Sequence, residues 1–325
     1  MHRSAIAENK DHMQGPDGKE VDMTTPITRR SFMRISASSM ASFAIFDSLT
    51  SRLWAEPFVS YPGIQLYTVD KELKGDVNGT LKAIRGIGYR EVEGAGFAGL
   101  SAKEFRTALD SAGLKCNSTH FFNFGEADPS AIFDEANTLG VKYVVSSFIG
   151  KFGHNKAGGE AGAGEYKAMA AYFNELGASA KKAGLQLAYH NHNTEFKDLG
   201  NGKVGYDIFV ESTDADLVKL ELDCGWIVAA GHNPVDYFKS YPNRYRMVHI
   251  KDFLRTGQPS TSLDRSMVPQ GTVLGAGHIK YKPILAAAKA AGVEHFFIEQ
   301  EPPFLGTTAM EAARRDYEYL ESITK

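Results

Sequence analysis

"EYKAMAAYFNELGASAKKAGLQLAYHNH", residues 165–192, holds an amphipathic run, a glycine at 184, a short apolar run and two histidines. In its first part apolar residues recur three and four apart, as in a helix lying on a core. Gly184 falls where that helix should stop, because a residue without a Cβ closes the last turn in the left-handed conformation at no steric cost. The apolar residues after it read as a buried strand. The same order of helix, glycine and strand returns in "GIGYREVE" around Gly88, "SAGLKCNS" at Gly113, "TLGVKYVV" at Gly140 and "AAGVEHFF" at Gly292. "GIQLYTV" (63–69), "LVKLELD" (217–223) and "YRMVHIKD" (245–252) supply three more strands, making eight. Gly88 and Gly292 bracket six steps with a mean spacing of 34 residues. Eight units of that size predict an α/β protein of the (β/α)8 barrel kind, which needs roughly 250 residues. A doubly wound open sheet is the competing architecture, but no G-x-G-x-x-G follows the first strand.

The bulk properties fit one large core. The chain has 325 residues, 43% hydrophobic and 23% charged, with a formal net charge of -3. That balance argues against a nucleic-acid surface, which needs a basic excess, and favours a small ligand of low charge. Two cysteines, Cys116 and Cys224, are too few for a disulfide framework. No stretch approaches the ~20 apolar residues of a membrane span.

The first fifty-five residues have a different character. "TRRSFMRISASSMASFAIF", residues 28–46, places Arg29 and Arg30 before Phe32 and a mildly apolar, Ser/Ala-rich run. It resembles a twin-arginine export signal, with cleavage expected near "LWAEP" (53–57). The expected organisation is a signal and linker over 1–55, removed on export, and a single catalytic barrel over 56–325. The precursor would then meet the twin-arginine export machinery, and the mature protein would be periplasmic or otherwise exported.

Barrels of this kind carry their chemistry where the strands end. The expected ends hold Glu91 and Glu93 on strand two, His120 on strand three, and His190 and His192 on strand five. Strand six offers Glu221, Asp223 and Trp226, strand seven His249 and Lys251, and strand eight Glu299 and Glu301. Alternation along a strand turns each i, i+2 pair to one side. Ionisable side chains turned into a barrel mouth are costly without partners, so their recurrence on four successive strands suggests a shared centre. Two imidazoles and two carboxylates would make a nitrogen/oxygen site suited to a divalent first-row cation.

The motifs "YHNHN", "LDCGW" followed by "AGHNPVDYF", "HIKDF", "GAGHIKYKPIL" and "IEQE" stand in an order that resembles the xylose isomerase-like TIM barrels. That group is called sugar phosphate isomerases/epimerases and includes inosose dehydratase and 3-dehydroshikimate dehydratase. The resemblance covers about residues 60 to 323. It implies one divalent metal ion held by His190, Asp223, His249 and Glu299, with Mn2+ expected first and Co2+, Fe2+, Zn2+ or Mg2+ as alternatives. It also implies His192 and Lys251, with Glu299, as the acid/base equipment. Glu93 and His120 are expected to line the substrate pocket, and Trp226 to stack against a sugar ring. Glu195, Glu221 and Glu301 are candidates for the outer partners that orient ligating imidazoles.

One departure bears on mechanism. Members that epimerise ketoses commonly carry Glu at the strand-five ligand, where this chain has His190, so a symmetric shuttle between two glutamates is in doubt. The expected activity is isomerisation or epimerisation of a sugar, cyclitol or keto-sugar, by removal of a proton next to a carbonyl and a metal-stabilised enediolate. The alternatives are a lyase that eliminates from a keto-sugar or 3-keto-glycoside, and a non-catalytic carbohydrate-binding protein. The substrate is expected to be unphosphorylated, a homo-oligomer is compatible with the chain, and loops at 149–164 and 254–275 are expected to close over the ligand.

Overall fold

A computed structural model describes residues 61–325 apart from 123, 125–127, 148–160, 201, 255–257, 263 and 265. The chain divides into Met1–Glu56 and Pro57–Lys325. The expected export signal at 28–46 and most of the expected loop at 149–164 lie outside the described residues.

Eight parallel strands close into a barrel: β1 (Gly63–Gln65), β2 (Glu91–Ala95), β3 (Lys115–His120), β4 (Tyr143–Ser146), β5 (Gln186–His190), β6 (Val218–Asp223), β7 (Tyr245–Ile250) and β8 (His295–Ile298). The seam is β1 on β8, with Gly63 opposite Phe297 and Ile64 opposite Ile298. The (β/α)8 expectation is therefore met. Each of the five glycines that mark the repeat has positive φ, from 71° at Gly113 to 135° at Gly88. Helix starts are equally local in origin. Before Ala102–Ala112, the Ser101 hydroxyl accepts the Glu104 N–H while the Glu104 carboxylate accepts the Ser101 N–H at 2.9 Å, so two orphan donors are satisfied together.

Two expected strands end early. β1 stops at Gln65, where the Gln65 side chain accepts the Tyr67 N–H at 3.0 Å and turns 66–69 into a 3-10 helix. β7 stops at Ile250, and Asp252–Phe253 instead pairs antiparallel with Gly271–Thr272. There the Asp252 carboxylate accepts the amides of Phe253, Gly275, Gly277 and Ile279, drawing the loop after β7 back onto the strand end.

The core has two parts. Large apolar residues seal the strands against the surrounding helices. Inside the barrel, Tyr143, Val145, Ala188, Met247 and Phe297 form a separate apolar plug. Charged groups above that plug are cut off from water on the lower side, and this sets the electrostatics of the mouth.

Candidate metal centre

Alternation turns Glu221 and Asp223 of β6 inward while Leu220 and Leu222 pack outward against the helices. The same rule brings His190 of β5 and His249 of β7 to the axis, and Glu299 follows directly after β8. Asp223, Glu221 and Glu93 are 0% exposed, and His190, His249, Lys251 and Glu299 are all buried.

Each ligand-capable imidazole has one nitrogen held from behind. His190 Nδ1 lies 3.0 Å from Glu221 Oε2, and its Nε2 lies 3.9 Å from Asp223 Oδ2. His249 Nε2 lies 2.6 Å from Glu93 Oε2, while its Nδ1 is 3.0 Å from Glu299 Oε2 and 3.9 Å from Asp223 Oδ2. A carboxylate behind an imidazole fixes its tautomer and aims the opposite nitrogen forward. Glu93 is itself fixed by the Gln65 amide at 2.9 Å and by the Ser118 hydroxyl.

Two donor groups share His249: Asp223, His249 and Glu299, and below them His120, His190, Glu221 and His249. His120 Nε2 is 2.8 Å from Glu221 Oε2, so the lower group is internally bonded. The upper donors, with His190 Nε2, stand 3.0–3.9 Å apart where distances connect them. Bonds of about 2.0–2.2 Å in tetrahedral geometry put ligand atoms roughly 3.3–3.6 Å apart. Asp223 Oδ2 is buried, with the Lys251 ammonium at 3.0 Å and an imidazole nitrogen on either hand at 3.9 Å. Donor chemistry, spacing and that oxygen together fit a divalent cation.

Positive side chains balance these carboxylates. The Lys251 ammonium lies 3.0 Å from Asp223 Oδ2, 2.7 Å from Glu299 Oε2 and 3.0 Å from Glu301 Oε1. Burial would depress its pKa, but the three carboxylates hold it well above the usual lysine value. Burial likewise opposes charge on His249, yet Glu221 and Glu299 raise its pKa well above the ordinary imidazole range. His190 is the reverse: burial, reinforced by charge on His249, pushes it well below that range. Burial and Glu93 would raise the Glu221 carboxyl, but the neighbouring imidazoles hold it at about 2. Gly225 makes room for the lysine, since a Cβ there would come within 2.2 Å of Lys251 Cγ.

A cavity of about 390 Å3 opens beside His190 and Glu299, lined among others by Tyr67, His120, Phe122, His192 and Glu301. His192 is half-buried, and its ring centroid stands 5.2 Å from that of His190. Its backbone N–H is held by Glu195 Oε1 at 3.0 Å. The expected site residues therefore separate. His120, His190, His192 and Glu299 face this cavity, whereas Asp223 and His249 belong to the buried donor groups and Lys251 lines a neighbouring cavity.

Three expectations are corrected by placement. Glu93 does not line this cavity: it is wholly buried behind His249, its oxygens taken by Gln65, Ser118 and His249. Glu91 is not a strand end but the first residue of β2, paired at 2.9 Å with His295, the first residue of β8, on the opposite face of the barrel. Trp226 does not line this cavity; it walls a neighbouring one. Of the expected outer partners, Glu221 orients His190, Glu195 anchors the His192 backbone and Glu301 binds Lys251.

Gln65, Ser118 and Asn191 were not singled out in the sequence. Asn191 Oδ1 accepts the Asp223 N–H at 3.0 Å and so ties β5 to β6 at the level of the donors. Their signal is weak: Gln65 ends a short apolar strand, Ser118 stands among other polar residues of β3, and Asn191 falls between two histidines. The exposed rim residues Tyr67 and Phe122, 40% and 55% accessible, carried no signal at all.

An eight-stranded parallel barrel with an imidazole–carboxylate basin at its mouth defines a class of metal-binding barrels. Residues 81–323 match the xylose isomerase-like TIM barrel family, and the chain belongs to it. It is similar to an inosose dehydratase from Clostridium perfringens, 28% identical over 207 residues, which are 57% of this chain and 66% of that protein. An inosose dehydratase from Lacticaseibacillus casei is 30% identical over 150 residues, 42% of this chain and 48% of that protein. The chain thus matches between about half and two thirds of the length of these relatives. Among solved structures, a sugar phosphate isomerase/epimerase from Parabacteroides distasonis superposes with a TM-score of 0.67 at 24% identity, covering 81% of this chain and 95% of that one. The IOLI protein, solved with a bound zinc atom, superposes with a TM-score of 0.60 at 18% identity, covering 81% and 98%.

Proposed function

We propose that this chain is a divalent-metal-dependent lyase that acts on a keto-sugar or cyclitol, removing a proton next to a carbonyl and expelling an oxygen substituent from the neighbouring carbon. The observation that carries this reading is the asymmetry of the mouth. His192 lines the cavity, and behind its Glu299 and Glu301 the Lys251 ammonium is held by three carboxylate oxygens at 2.7–3.0 Å. One residue is suited to take a proton and the other to give one. The inosose dehydratase relatives support elimination, so the isomerase reading expected first becomes the second reading here.

His190, Asp223, His249 and Glu299 would hold the cation, with Mn2+ as the first expectation and Co2+, Fe2+, Zn2+ or Mg2+ as alternatives. Such a cation supplies Lewis acidity, drawing electron density from a carbonyl oxygen and acidifying the adjacent C–H. Glu221 and Glu93 keep His190 and His249 in register for it. His192 takes the proton from carbon. The bond from the next carbon to the departing oxygen breaks with its electron pair, and Lys251 supplies the proton that oxygen needs. Glu299 and Glu301 hold Lys251 in place. Tyr67 and Phe122 offer apolar rim faces to the sugar ring.

Incubation with a panel of ketoses, inososes and 3-keto-glycosides in deuterated water tests the reaction class. The expected result is loss of water or of the glycosidic substituent together with deuterium exchange. Exchange with epimerised product and no elimination would move the assignment to isomerase, and neither would leave a binding protein. Export is part of the proposal, and rests on Arg29 and Arg30 before Phe32. Double substitution Arg29→Lys, Arg30→Lys is expected to hold the chain in the cytoplasm, and undiminished export of that variant would refute it.

A further inference from the structure

Beside the catalytic cavity lies a second one of about 500 Å3, and Glu301 lines both. Lys251, which binds Glu299 on the catalytic side, also lines the second cavity. The two spaces therefore share Glu301, whose carboxylate lies 3.0 Å from the ammonium to which the preceding reading gives the departing oxygen.

The second cavity has an apolar wall of Trp226, Phe253, Val268, Pro269 and Pro302, and its polar lining includes Ser266, Gln270 and Gln300 beside Lys251, Asp252 and Glu301. Trp226 and Phe253 stand with ring centroids 5.4 Å apart, and the Lys251 ammonium lies 5.0 Å from the Trp226 ring. Its charged groups are largely committed. Asp252 accepts four backbone amides, and Lys251 is bound by carboxylates. Among the described residues, two buried polar atoms of the lining make no hydrogen bond, Trp226 Nε1 and Gln300 Oε1, and both residues are more than nine-tenths buried.

We infer that the second cavity receives an aryl group joined through oxygen to the sugar in the first, so that the substrate class is an aryl keto-glycoside. This rests on the lyase reading for the sugar half and deepens it. The paired faces of Trp226 and Phe253 with the prolines beside them suit a planar ring, and the uncommitted Trp226 N–H and Gln300 carbonyl suit one or two polar substituents on it. An aromatic ring needs stacking faces and few hydrogen bonds, which is what the walls supply.

The test is calorimetric binding of 4-nitrophenyl β-glucoside, methyl β-glucoside and cellobiose to the full chain in Mn2+ buffer, without turnover. The nitrophenyl glycoside is expected to bind at least about tenfold more tightly than the other two. Trp226 and Trp54 are the two tryptophans of the sequence. In a Trp54→Phe background, the nitrophenyl group is therefore expected to quench the Trp226 emission. Val268→Phe, which narrows the second cavity, should bring the aryl and methyl dissociation constants within about threefold, while Val268→Ala should keep them apart. Equal constants in the unaltered chain, tighter binding of cellobiose, or an aryl preference that survives Val268→Phe would overturn the inference. Because binding is read apart from deuterium exchange, an aryl preference without exchange sinks the lyase reading and leaves this site standing, and exchange without the preference does the reverse.

Discussion

Asp223→Asn is expected to empty the metal centre and to lower turnover at least ~10³-fold, the equivalent of about 4 kcal/mol of lost transition-state stabilisation. The substitution is nearly isosteric. Asn can still accept the Trp226 N–H that Asp223 Oδ1 receives at 2.8 Å, so the turn after β6 survives. What changes is Oδ2, the oxygen 3.9 Å from both His190 Nε2 and His249 Nδ1, which becomes a neutral amide that ligates poorly. Elemental analysis of the purified variant should find less than about a tenth of the cation in the unaltered chain. Full metal content with activity reduced only a few-fold would remove Asp223 from the ligand set.

The second large effect separates chemistry from metal binding. His192 belongs to neither donor group, yet it faces the cavity and stands 5.9 Å, ring to ring, from Trp226. His192→Gln is expected to leave metal content unchanged and to lower kcat by ~10²–10⁴, the usual worth of a positioned proton acceptor. Deuterium exchange should fall by the same factor, because the lost step is removal of the proton from carbon. A variant that still exchanges at the full rate but fails to expel the leaving group would move the base to another residue and give His192 a role after proton removal.

The barrel was legible because its determinants are local. Gly113, Gly140 and Gly184 close helices in a conformation that costs most residues energy, and such positions can be read one at a time. The buried strands were legible for the same reason, as short apolar runs after those glycines. The donors at the strand ends were also legible, since Asp223, His249 and Glu299 interrupt apolar runs with charge and the structure brings them together.

Depth along the barrel axis could not be read. Glu91 and Glu93 share a face by alternation, but β2 begins at Glu91, so that residue lies at the foot of the barrel and Glu93 behind the donors. Pairing shifts register between Val92 and Glu93 and again between Leu220 and Glu221. Those irregularities depend on neighbouring strands, not on the segment itself. Glu221, placed in the sequence as one outer partner among three, sits between His120 and His190. The second cavity was hidden for a related reason. It is assembled from Trp226, from the loop after β7 and from Pro302 beyond β8, three segments with no common pattern.

Anomalous diffraction at the manganese edge, from crystals of the full chain grown with Mn2+, tests the central claim most directly. The account predicts one ion about 2–2.5 Å from each of His190 Nε2, Asp223 Oδ2, His249 Nδ1 and Glu299 Oε2, with Lys251 withdrawn from Asp223. An ion seated instead among His120, His190, Glu221 and His249, or no ion at the mouth, would contradict it.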